Sequence, residues 1–565
     1  MSPIVLRKRV KKARYKPILK DANTWPVVQM AKKREEFVDL VFEEAMENFL
    51  DSPRGKSLRE ELETTVHREL QRVKNNPWVV DPKDEREYFE NLRKRIADTD
   101  HLPEEEASIQ LQEILQNITR RYADEIAGNF RPSSYRFART FLTIGFARLL
   151  NAARVRGPWS VFSNQLDLDD KIHIVGENEQ IRKLARIGTV IMVPTHFSNL
   201  DSPLIGWAIQ YLGLPPFIYG AGLNLFNVKI FAYFMNSLGA YKVDRRKKNA
   251  IYLETLKTYS TIAIREGCHS LFFPGGTRSR SGKIEKTLKL GLLGTAIEAQ
   301  RQIFQAEEEY KSNKIFVVPV TINYHFVLEA PSLINDYLKS KGKERYYVES
   351  DEFTSSYKIS KFLLKFFTRG SGVSLSVGKA LDVVGNYVDE NGHSLDKKGN
   401  EIDLKDYFRT GGEITEDRQR EQEYNRILGR SIVNEFHRIN RVLSSHLLAF
   451  TAFKIIGKRF HHMDLYALLR LPEEDLRISY EEFKEKVEFF HSEVMKMNAT
   501  DKVSIGDHMN EEMDSVIKHG LRNLGMYHPV PPLVREKNGV MVVKNMNLLY
   551  YYHNRLLGYD LEKLI

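Results

Sequence analysis

The chain has 565 residues, which is too long for one hydrophobic core, so we expect two or three domains. Its apolar content of 42% is ordinary for globular proteins and excludes a largely disordered chain. The net charge of +10 favours an acidic partner, such as an anionic membrane face, a phosphorylated molecule, an acidic carrier protein or nucleic acid, without choosing among them.

The first part of the chain is basic and then helical. Residues 1–20 form a basic tail without the apolar segment of a secretory signal, and it is either a solvated tail or an electrostatic anchor to anionic lipid. Residues 21–160 predict a helical N-terminal domain, because apolar residues recur three and four apart between charged ones. Its segment 133–151 is a more apolar helix, for which we prefer core packing to membrane-surface binding. We expect no transmembrane helix, since no run of 18 apolar residues occurs.

From residue 161 the pattern changes to short β-rich segments separated by helical ones, which predicts an α/β domain over 161–385 with a mainly parallel or mixed sheet. A polar, turn-rich linker over 386–414 and a mostly helical C-terminal domain over 415–565 follow. We find no internal repeat. The single cysteine, Cys268, excludes an intrachain disulfide and suits a reducing compartment. It precedes the apolar run 271–273, so we expect a buried, inert thiol rather than a nucleophile.

The segment 189–201 carries the first candidate site. Its first half predicts a buried strand, after which His196 stands at the mouth of a helix. Asp201 can reach back toward the imidazole, where a carboxylate would fix the tautomer and raise the basicity, so His196 is our candidate general base. Ser198 and Asp201 have the spacing of a capping box. Asp201 as a helix cap and His196 as a satisfied loop residue therefore stay open.

Two basic segments, 239–246 and 271–283, come next in the chain. Arginine forks grip two phosphate oxygens at once, and glycines let a backbone approach an anion closely. A single arginine is more simply a solvated surface residue, but two clusters in this order favour phosphate binding. The candidate binding residues are Lys242, Arg245, Arg246, Gly275, Gly276, Thr277, Arg278 and Arg280.

The order of these features resembles a known family. A His-x4-Asp motif, a segment ending in Arg-Arg, the sequence FPGGTRSR and the strand 314–324 match the four blocks of the glycerolipid acyltransferase family. The resemblance implies a central sheet flanked by helices, acylation of glycerol 3-phosphate or its derivatives, and binding roles for Ser279, Lys289 and Pro319. More weakly, the helical segment 423–456 resembles the C-terminal region of the large glycerol 3-phosphate acyltransferases.

One position departs from the family pattern. The third block of the family reads Phe-x-Glu-Gly or Phe-Pro-Glu-Gly, and here Gly275 stands at the glutamate position. The resemblance assigns that glutamate a part in shaping or polarising the alcohol site. Acyl transfer from a thioester to an alcohol needs a base, a grip on the alcohol and an oxyanion donor, but no covalent nucleophile. The sequence has no G-x-S-x-G elbow that would supply one.

We therefore expect a peripheral enzyme at the cytoplasmic face of a membrane. It would transfer a fatty acyl group from acyl-CoA or acyl-carrier protein to the sn-1 hydroxyl of glycerol 3-phosphate. Acylation of dihydroxyacetone phosphate or lysophosphatidate is the alternative within the class, and a catalytically weak lipid-binding or scaffolding protein is the alternative outside it. The thioester is a co-substrate; we expect no cofactor, no metal site and no nucleic-acid partner.

Overall fold

The computed structural model describes residues 15–51, 55–78, 80–128, 130–135, 172–223, 239–306, 314–341, 372–526 and 528–564. The predicted basic tail lies mostly outside these residues, and the predicted apolar helix 133–151 lies almost wholly outside them. A search of the described helices finds none that is both long and apolar enough to cross a membrane.

The N-terminal region is helical, as predicted. The helix Leu58–Asn75 begins at a capping box, in which the Ser57 hydroxyl accepts from the backbone of Glu60 and the Glu60 carboxylate accepts from the backbone of Ser57. The apolar faces of these helices pack against a helix at 250–265 of the α/β region. The helices are α1 (Pro26–Lys32), α2 (Arg34–Asp51), α3 (Leu58–Asn75), α4 (Glu85–Asp98) and α5 (Glu104–Ile126), with short 3-10 turns at Ala22–Thr24 and Thr99–His101.

A seven-stranded sheet forms the centre of the α/β region. Its strands are β1 (Ile172–Gly176), β2 (Thr189–Pro194), β3 (Ile218–Gly222), β4 (Ala240–Val243), β5 (Ser270–Leu271), β6 (Ile315–Tyr324) and β7 (Val373–Val377). The strand order is β1-β7-β6-β2-β5-β3-β4, and only the β6–β7 pair is antiparallel. The predicted α/β class with a mainly parallel sheet is confirmed.

Helices cover both faces of this sheet, and its central strands are mostly apolar, with Thr189, Thr321 and Asn323 as the exceptions in β2 and β6. Every residue of β2 and β6 is buried, as expected for strands covered on both sides. Cys268 is also buried, with Sγ 3.8 Å from Met30 Sδ of α1, which confirms the predicted burial. The helices of this region are α6 (Asn178–Ile187), α7 (Asp201–Tyr211), α8 (Ala250–Arg265), α9 (Gly291–Gln305) and α10 (Ala330–Lys341).

A repeat that our sequence interpretation missed begins at the end of the predicted α/β domain and continues into the predicted linker. Asp382, Asp389 and Asp396 stand seven residues apart, and the backbone N–H of each donates to the carbonyl of the residue four positions on. Their side chains accept from the backbone within the same turns. The elements here are β8 (Tyr387–Val388), β9 (Ser394–Leu395), β10 (Glu401–Ile402), β11 (Arg409–Thr410), β12 (Glu413–Ile414) and a 3-10 turn at Leu404–Phe408.

The C-terminal region is mostly helical, as predicted, and packs directly on the sheet. Its apolar side chains form one continuous cluster with one face of the sheet. Its helices are α11 (Arg418–Ile439), α12 (Ser444–Arg459), α13 (Leu465–Leu468), α14 (Tyr480–Ala499), α15 (Met513–Asn523) and α16 (Met546–His553). The short strands are β13 (Arg441–Val442), β14 (Arg477–Ile478), β15 (Ser504–Ile505), β16 (Leu533–Arg535) and β17 (Met541–Val543), and 3-10 turns occupy Glu473–Leu476, Asp507–Asn510, Asn554–Leu556 and Leu561–Lys563.

Candidate active site

His196 follows the end of β2, and Asp201 opens α7. The intervening loop turns back so that His196 Nδ1 lies 2.8 Å from Asp201 Oδ2. The same oxygen accepts from the backbone N–H groups of Phe197 and Ser198, at 2.7 and 2.9 Å, and the Tyr324 hydroxyl donates to Oδ1. Because the carboxylate can only accept, Nδ1 carries the proton and Nε2 is left as the basic nitrogen. The pair therefore has the orientation that a general base requires.

The carboxylate of Asp201 is completely buried, and four hydrogen bonds fix its position. Burial and the neighbouring carboxylate raise the pKa of Tyr324 well above its ordinary value, so the phenol remains a donor. Only half of the predicted capping box forms: Asp201 Oδ2 accepts from the backbone N–H of Ser198, but the backbone N–H of Asp201 donates to the Ser198 carbonyl and not to its hydroxyl. The side chain of Asp201 turns back to the loop, α7 begins without a side-chain cap, and the Ser198 hydroxyl instead lies 3.1 Å from Glu329 Oε2.

The third block, which follows β5, encloses the histidine because β5 pairs with β2. The ring of Phe273 stacks on the His196 imidazole with a centroid distance of 4.1 Å and an interplanar angle of 26°. The backbone N–H of Ser279 donates to the carbonyl of His196 at 2.7 Å. The Ser279 hydroxyl donates to the carbonyl of Lys283 at 2.7 Å, which closes the turn of this block. The predicted residue Ser279 therefore positions the loop of the base.

A buried glutamate joins Arg278 to the same loop. Glu329 Oε1 accepts from the backbone of Asn199 at 2.9 Å and lies 3.6 Å from Arg278 Nη1. Burial raises the pKa of Glu329. This contact places the guanidinium of Arg278 beside the segment that carries His196. Sequence analysis missed Glu329, since it lies 133 positions beyond His196 in the chain, on the connection from β6 to α10.

The other predicted residues of the third block lie along the same turn. Gly276 has a positive φ of 76°, a conformation that favours glycine, and a Cβ atom there would come within 3.1 Å of Lys289 Cγ. The backbone of Lys289 donates to the carbonyl of Pro274 at 2.7 Å. Thr277 is exposed and Arg280 is half-buried. Pro319 instead lies buried within β6, where it is paired with Val193.

The second block lies elsewhere on the sheet. Lys242 belongs to the edge strand β4, which is three strands from β2 and therefore about 14 Å away. Arg245 is exposed. The guanidinium of Arg246 pairs with Asp244 of its own turn and, at 2.5 Å, with Asp81 of the α3–α4 connection.

These contacts occupy the guanidinium of Arg246. It also donates to the carbonyl of Asn76 at 2.8 Å and covers the ring of Trp78 at 3.7 Å. A phosphate would have to compete with two carboxylates for this side chain. Phosphate binding by Lys242, Arg245 and Arg246 stays a prediction.

Two charged residues next to His196 have no counterpart in the sequence prediction. Glu285 Oε1 accepts from the backbone N–H of His196 at 3.4 Å, and burial raises the pKa of this carboxyl to about 7. The guanidinium of Arg555, just after α16, covers the ring of Phe197 at 3.5 Å and donates to the carbonyl of Ile322. Burial lowers the pKa of Arg555 to about 10. The C-terminal region therefore reaches the neighbourhood of the histidine.

Three histidines outside this site could hold a metal ion. The ring nitrogens of His325, His508 and His519 lie within 4.8 Å of one another. Each ring already has a hydrogen bond. His325 bonds to the Ser445 hydroxyl at 2.9 Å, His508 accepts from the backbone N–H of Ser444 at 3.0 Å, and His519 bonds to the Ser444 hydroxyl at 3.0 Å. Burial lowers the pKa of all three imidazoles. The absence of a metal site stays a prediction.

A family model described as Acyltransferase matches residues 174–323. This range contains His196, Asp201 and the third block. The resemblance found in the sequence is thereby confirmed, and it is carried by the part of the fold that positions the histidine.

Curated relatives extend this match. A glycerol-3-phosphate acyltransferase of Alteromonas mediterranea is 26% identical over 257 residues, 45% of this chain and 28% of that protein. One of Shewanella sp. (strain ANA-3) is 27% identical over 289 residues, 51% of this chain and 31% of that protein. One of Haemophilus influenzae (strain PittEE) is 27% identical over 224 residues, 39% of this chain and 24% of that protein. The matched part spans less than a third of each of these relatives.

Proposed function

We propose that this protein is a glycerol-3-phosphate acyltransferase that transfers a fatty acyl group from acyl-CoA or acyl-carrier protein to the sn-1 hydroxyl. The observation that carries the proposal is the His196–Asp201 pair, fixed beside a turn that presents Arg278. The names of the relatives in Alteromonas and Shewanella support the choice of acceptor.

The residues account for a direct acyl transfer that forms no covalent acyl-enzyme. Nε2 of His196 takes the proton of the acceptor hydroxyl while its oxygen forms a bond to the thioester carbonyl carbon. The carbon–sulfur bond then breaks, and the leaving thiolate takes the proton back from the imidazolium. The products are an ester and a free thiol. The buried carboxylate of Asp201 stabilises the imidazolium that exists between these two proton transfers.

Arg278, with Arg280 and Lys289 of the same block, would hold the phosphate of the acceptor. A guanidinium binds two phosphate oxygens with fixed geometry, so it also fixes the distance from the phosphate to the reacting hydroxyl. Glu329 holds Arg278 beside the loop of the histidine. Arg278 would therefore bind the phosphate end of one small acceptor, while His196 acts on its hydroxyl end.

The test is a product assay with purified protein. Acyl-CoA and acyl-carrier protein are offered as donors, and glycerol 3-phosphate, dihydroxyacetone phosphate and lysophosphatidate as acceptors. We expect 1-acyl lysophosphatidate by mass spectrometry, with the acyl position assigned by chromatography against both isomers. The His196→Ala protein, prepared identically, excludes a contaminating enzyme. A preference for either other acceptor would support the alternative within the class, and no transfer to any acceptor would favour a lipid-binding or scaffolding role.

We also propose that the protein is peripheral at the cytoplasmic face of a membrane. Its net charge of +10 and the basic segment 1–20 support binding to anionic lipid. Salt screens such binding, so washing membranes with 1 M salt or with carbonate should release the protein. Retention through both washes, with release only by detergent, would contradict the proposal.

A further inference from the structure

The departure at Gly275 has a counterpart in space. A Cβ atom placed on Gly275 would lie 2.9 Å from Oε1 of Glu285 and 3.1 Å from its Cγ. These separations are shorter than ordinary contacts to a Cβ atom. The carboxyl of Glu285 therefore occupies the space in which a side chain at position 275 would begin.

This carboxyl also lies beside the candidate base. Its Oε1 accepts from the backbone N–H of His196 at 3.4 Å. Its Oε2 is inaccessible to solvent and has no hydrogen-bond partner within the described part of the chain. A buried carboxyl oxygen without a partner is costly, so a substrate hydroxyl that displaces the groups covering this oxygen and bonds to it would recover that free energy.

A purely structural role explains these contacts less well. The bond to His196 is long, and it uses only one of the two carboxyl oxygens. Burial places the pKa of Glu285 near 7, so the group is ionised and acts only as an acceptor in mildly alkaline buffer. An acceptor beside the base is suited to an alcohol, which has a proton to donate.

We propose that Glu285 supplies the carboxyl that the family pattern places at position 275, and that it accepts a hydrogen bond from a hydroxyl of the acceptor beside His196. The inference rests on the proposed function and assigns this role to a residue outside the motif. Glycerol 3-phosphate has two free hydroxyls, so one reacts while the other binds the carboxylate. Dihydroxyacetone phosphate has a carbonyl at C2, which offers no proton. Glu285 therefore favours the diol.

The test moves the carboxyl between the two positions. Glu285→Ala should raise the KM for glycerol 3-phosphate roughly tenfold to a hundredfold at pH 8.5 and leave the donor KM unchanged. The double variant Gly275→Glu with Glu285→Ala should recover most of the loss, because it returns a carboxyl to the place that the family pattern gives it. Lys286→Ala, which truncates the exposed neighbour, is the matched control and should resemble the wild type.

Gly275→Ala is an independent test that leaves the glutamate in the chain. The added methyl group must displace the Glu285 carboxyl, so acceptor KM should rise in the wild-type background and not rise further in the Glu285→Ala background. Glu285→Gln keeps the side-chain volume, so it is the variant to use if Glu285→Ala does not fold. Its amide can donate to a carbonyl, so the preference for glycerol 3-phosphate over dihydroxyacetone phosphate should shrink.

The outcomes separate this inference from the proposed function. A wild-type protein that acylates glycerol 3-phosphate while Glu285→Ala and Glu285→Gln keep its kinetic constants would overturn the role of Glu285 alone. Loss of activity that the double variant does not recover, with equal melting temperatures, would also overturn it. Wild-type protein that acylates no acceptor would overturn the proposed function, and the inference with it.

Discussion

The second and third blocks carry the same kind of residue in very different surroundings. Arg246 of the second block lies at the edge strand, where Asp81 and Asp244 accept from its guanidinium. Arg278 of the third block lies next to the loop of the histidine, 3.6 Å from Glu329. Both arginines follow a strand of one sheet, and the sequence predicts phosphate binding for both.

The difference teaches how a binding site can be told from a structural ion pair. Around the third block, the described residues leave buried polar atoms without partners, namely Glu285 Oε2 and Asn199 Nδ2. In the second block, Tyr241 Oη is also buried without a partner among the described residues, but Arg246, and Lys247 just after the block, are paired with carboxylates of the N-terminal helical region. The difference between the blocks lies in their charged groups: an unpaired carboxyl oxygen beside the histidine can accept from a ligand, whereas completed ion pairs stabilise the contact between two regions. We therefore expect the third block to bind substrate and the second to join two regions.

The largest effect should come from His196→Ala, which removes the candidate base that the third block contacts. Removing a general base costs about 10²–10⁴-fold in rate, so we expect kcat to fall by roughly a thousandfold. The free energy of unfolding should change little, because the imidazole is half-buried and acts in the reaction. Asp201→Asn should cost less than His196→Ala, since the base remains although its tautomer is no longer fixed. Near-wild-type turnover of His196→Ala would remove the basis of the mechanism.

The sequence predicted what depends on local pattern. The strand before His196 and the helix that Asp201 opens both depend on residues near one another in the chain. Asp201 does reach back to His196, as its position suggested, but the direction of the Ser198 hydroxyl was not predictable, since it lies against Glu329 instead of completing a capping box. The seven-residue spacing of Asp389 and Asp396, each of which begins a turn, could also have been recognised in the sequence, and we overlooked it.

Long-range pairs were beyond sequence reasoning. Asp81 lies 165 positions from Arg246, and neither position carries a pattern that points to the other. Glu285 is closer to the motif, ten positions after Gly275, but no motif or spacing in the sequence singles it out. The missing motif glutamate was a signal that could have prompted a search for a second carboxylate nearby. Only the fold shows which carboxylate fills that space.

Arg246→Ala should lower the stability of the fold without changing acceptor binding, which would distinguish the second block from the third. It leaves the buried carboxylate of Asp244 without its partner, so we expect the free energy of unfolding in urea to fall by about 3 kcal/mol. The acceptor KM should remain near the wild-type value. Arg245→Ala, at the exposed neighbouring position, is the control. An unchanged unfolding free energy with a raised acceptor KM would contradict the comparison and return the second block to phosphate binding.

Glu285→Gln should change the pH dependence of stability. Burial raises the pKa of Glu285 in the folded protein from an ordinary value of 4.5 to about 7. The positive charge of Arg555 lowers this pKa, and the negative charge of Asp201 raises it. A raised carboxyl pKa stabilises the fold below pH 4.5, and this contribution is lost as the pH rises to 7. The loss corresponds to about 3 kcal/mol at most. Urea unfolding should show this slope in the wild type but not in the glutamine variant, and parallel slopes would refute it.

Arg278→Ala should have the smallest effect of these variants, and it tests most directly whether the third block binds the acceptor phosphate. Removing a charge-assisted contact to phosphate costs about 1.5–3 kcal/mol, or roughly ten- to a hundredfold in affinity. Steady-state kinetics of Arg278→Ala should therefore show a raised KM for glycerol 3-phosphate and an unchanged donor KM. Arg278→Lys should recover only part of the loss, because a point charge does not reproduce the fork.

The result is informative in either direction because the two substrates both carry phosphate. If Arg278→Ala raised the donor KM and left the acceptor KM flat, the third block would bind the thioester donor, and the acceptor would have to be held elsewhere. The second block would then be the first place to look, and Arg246→Ala would already have been measured on the same scale. His196 would keep its role under both results, because the base must reach the hydroxyl whichever block holds the phosphate.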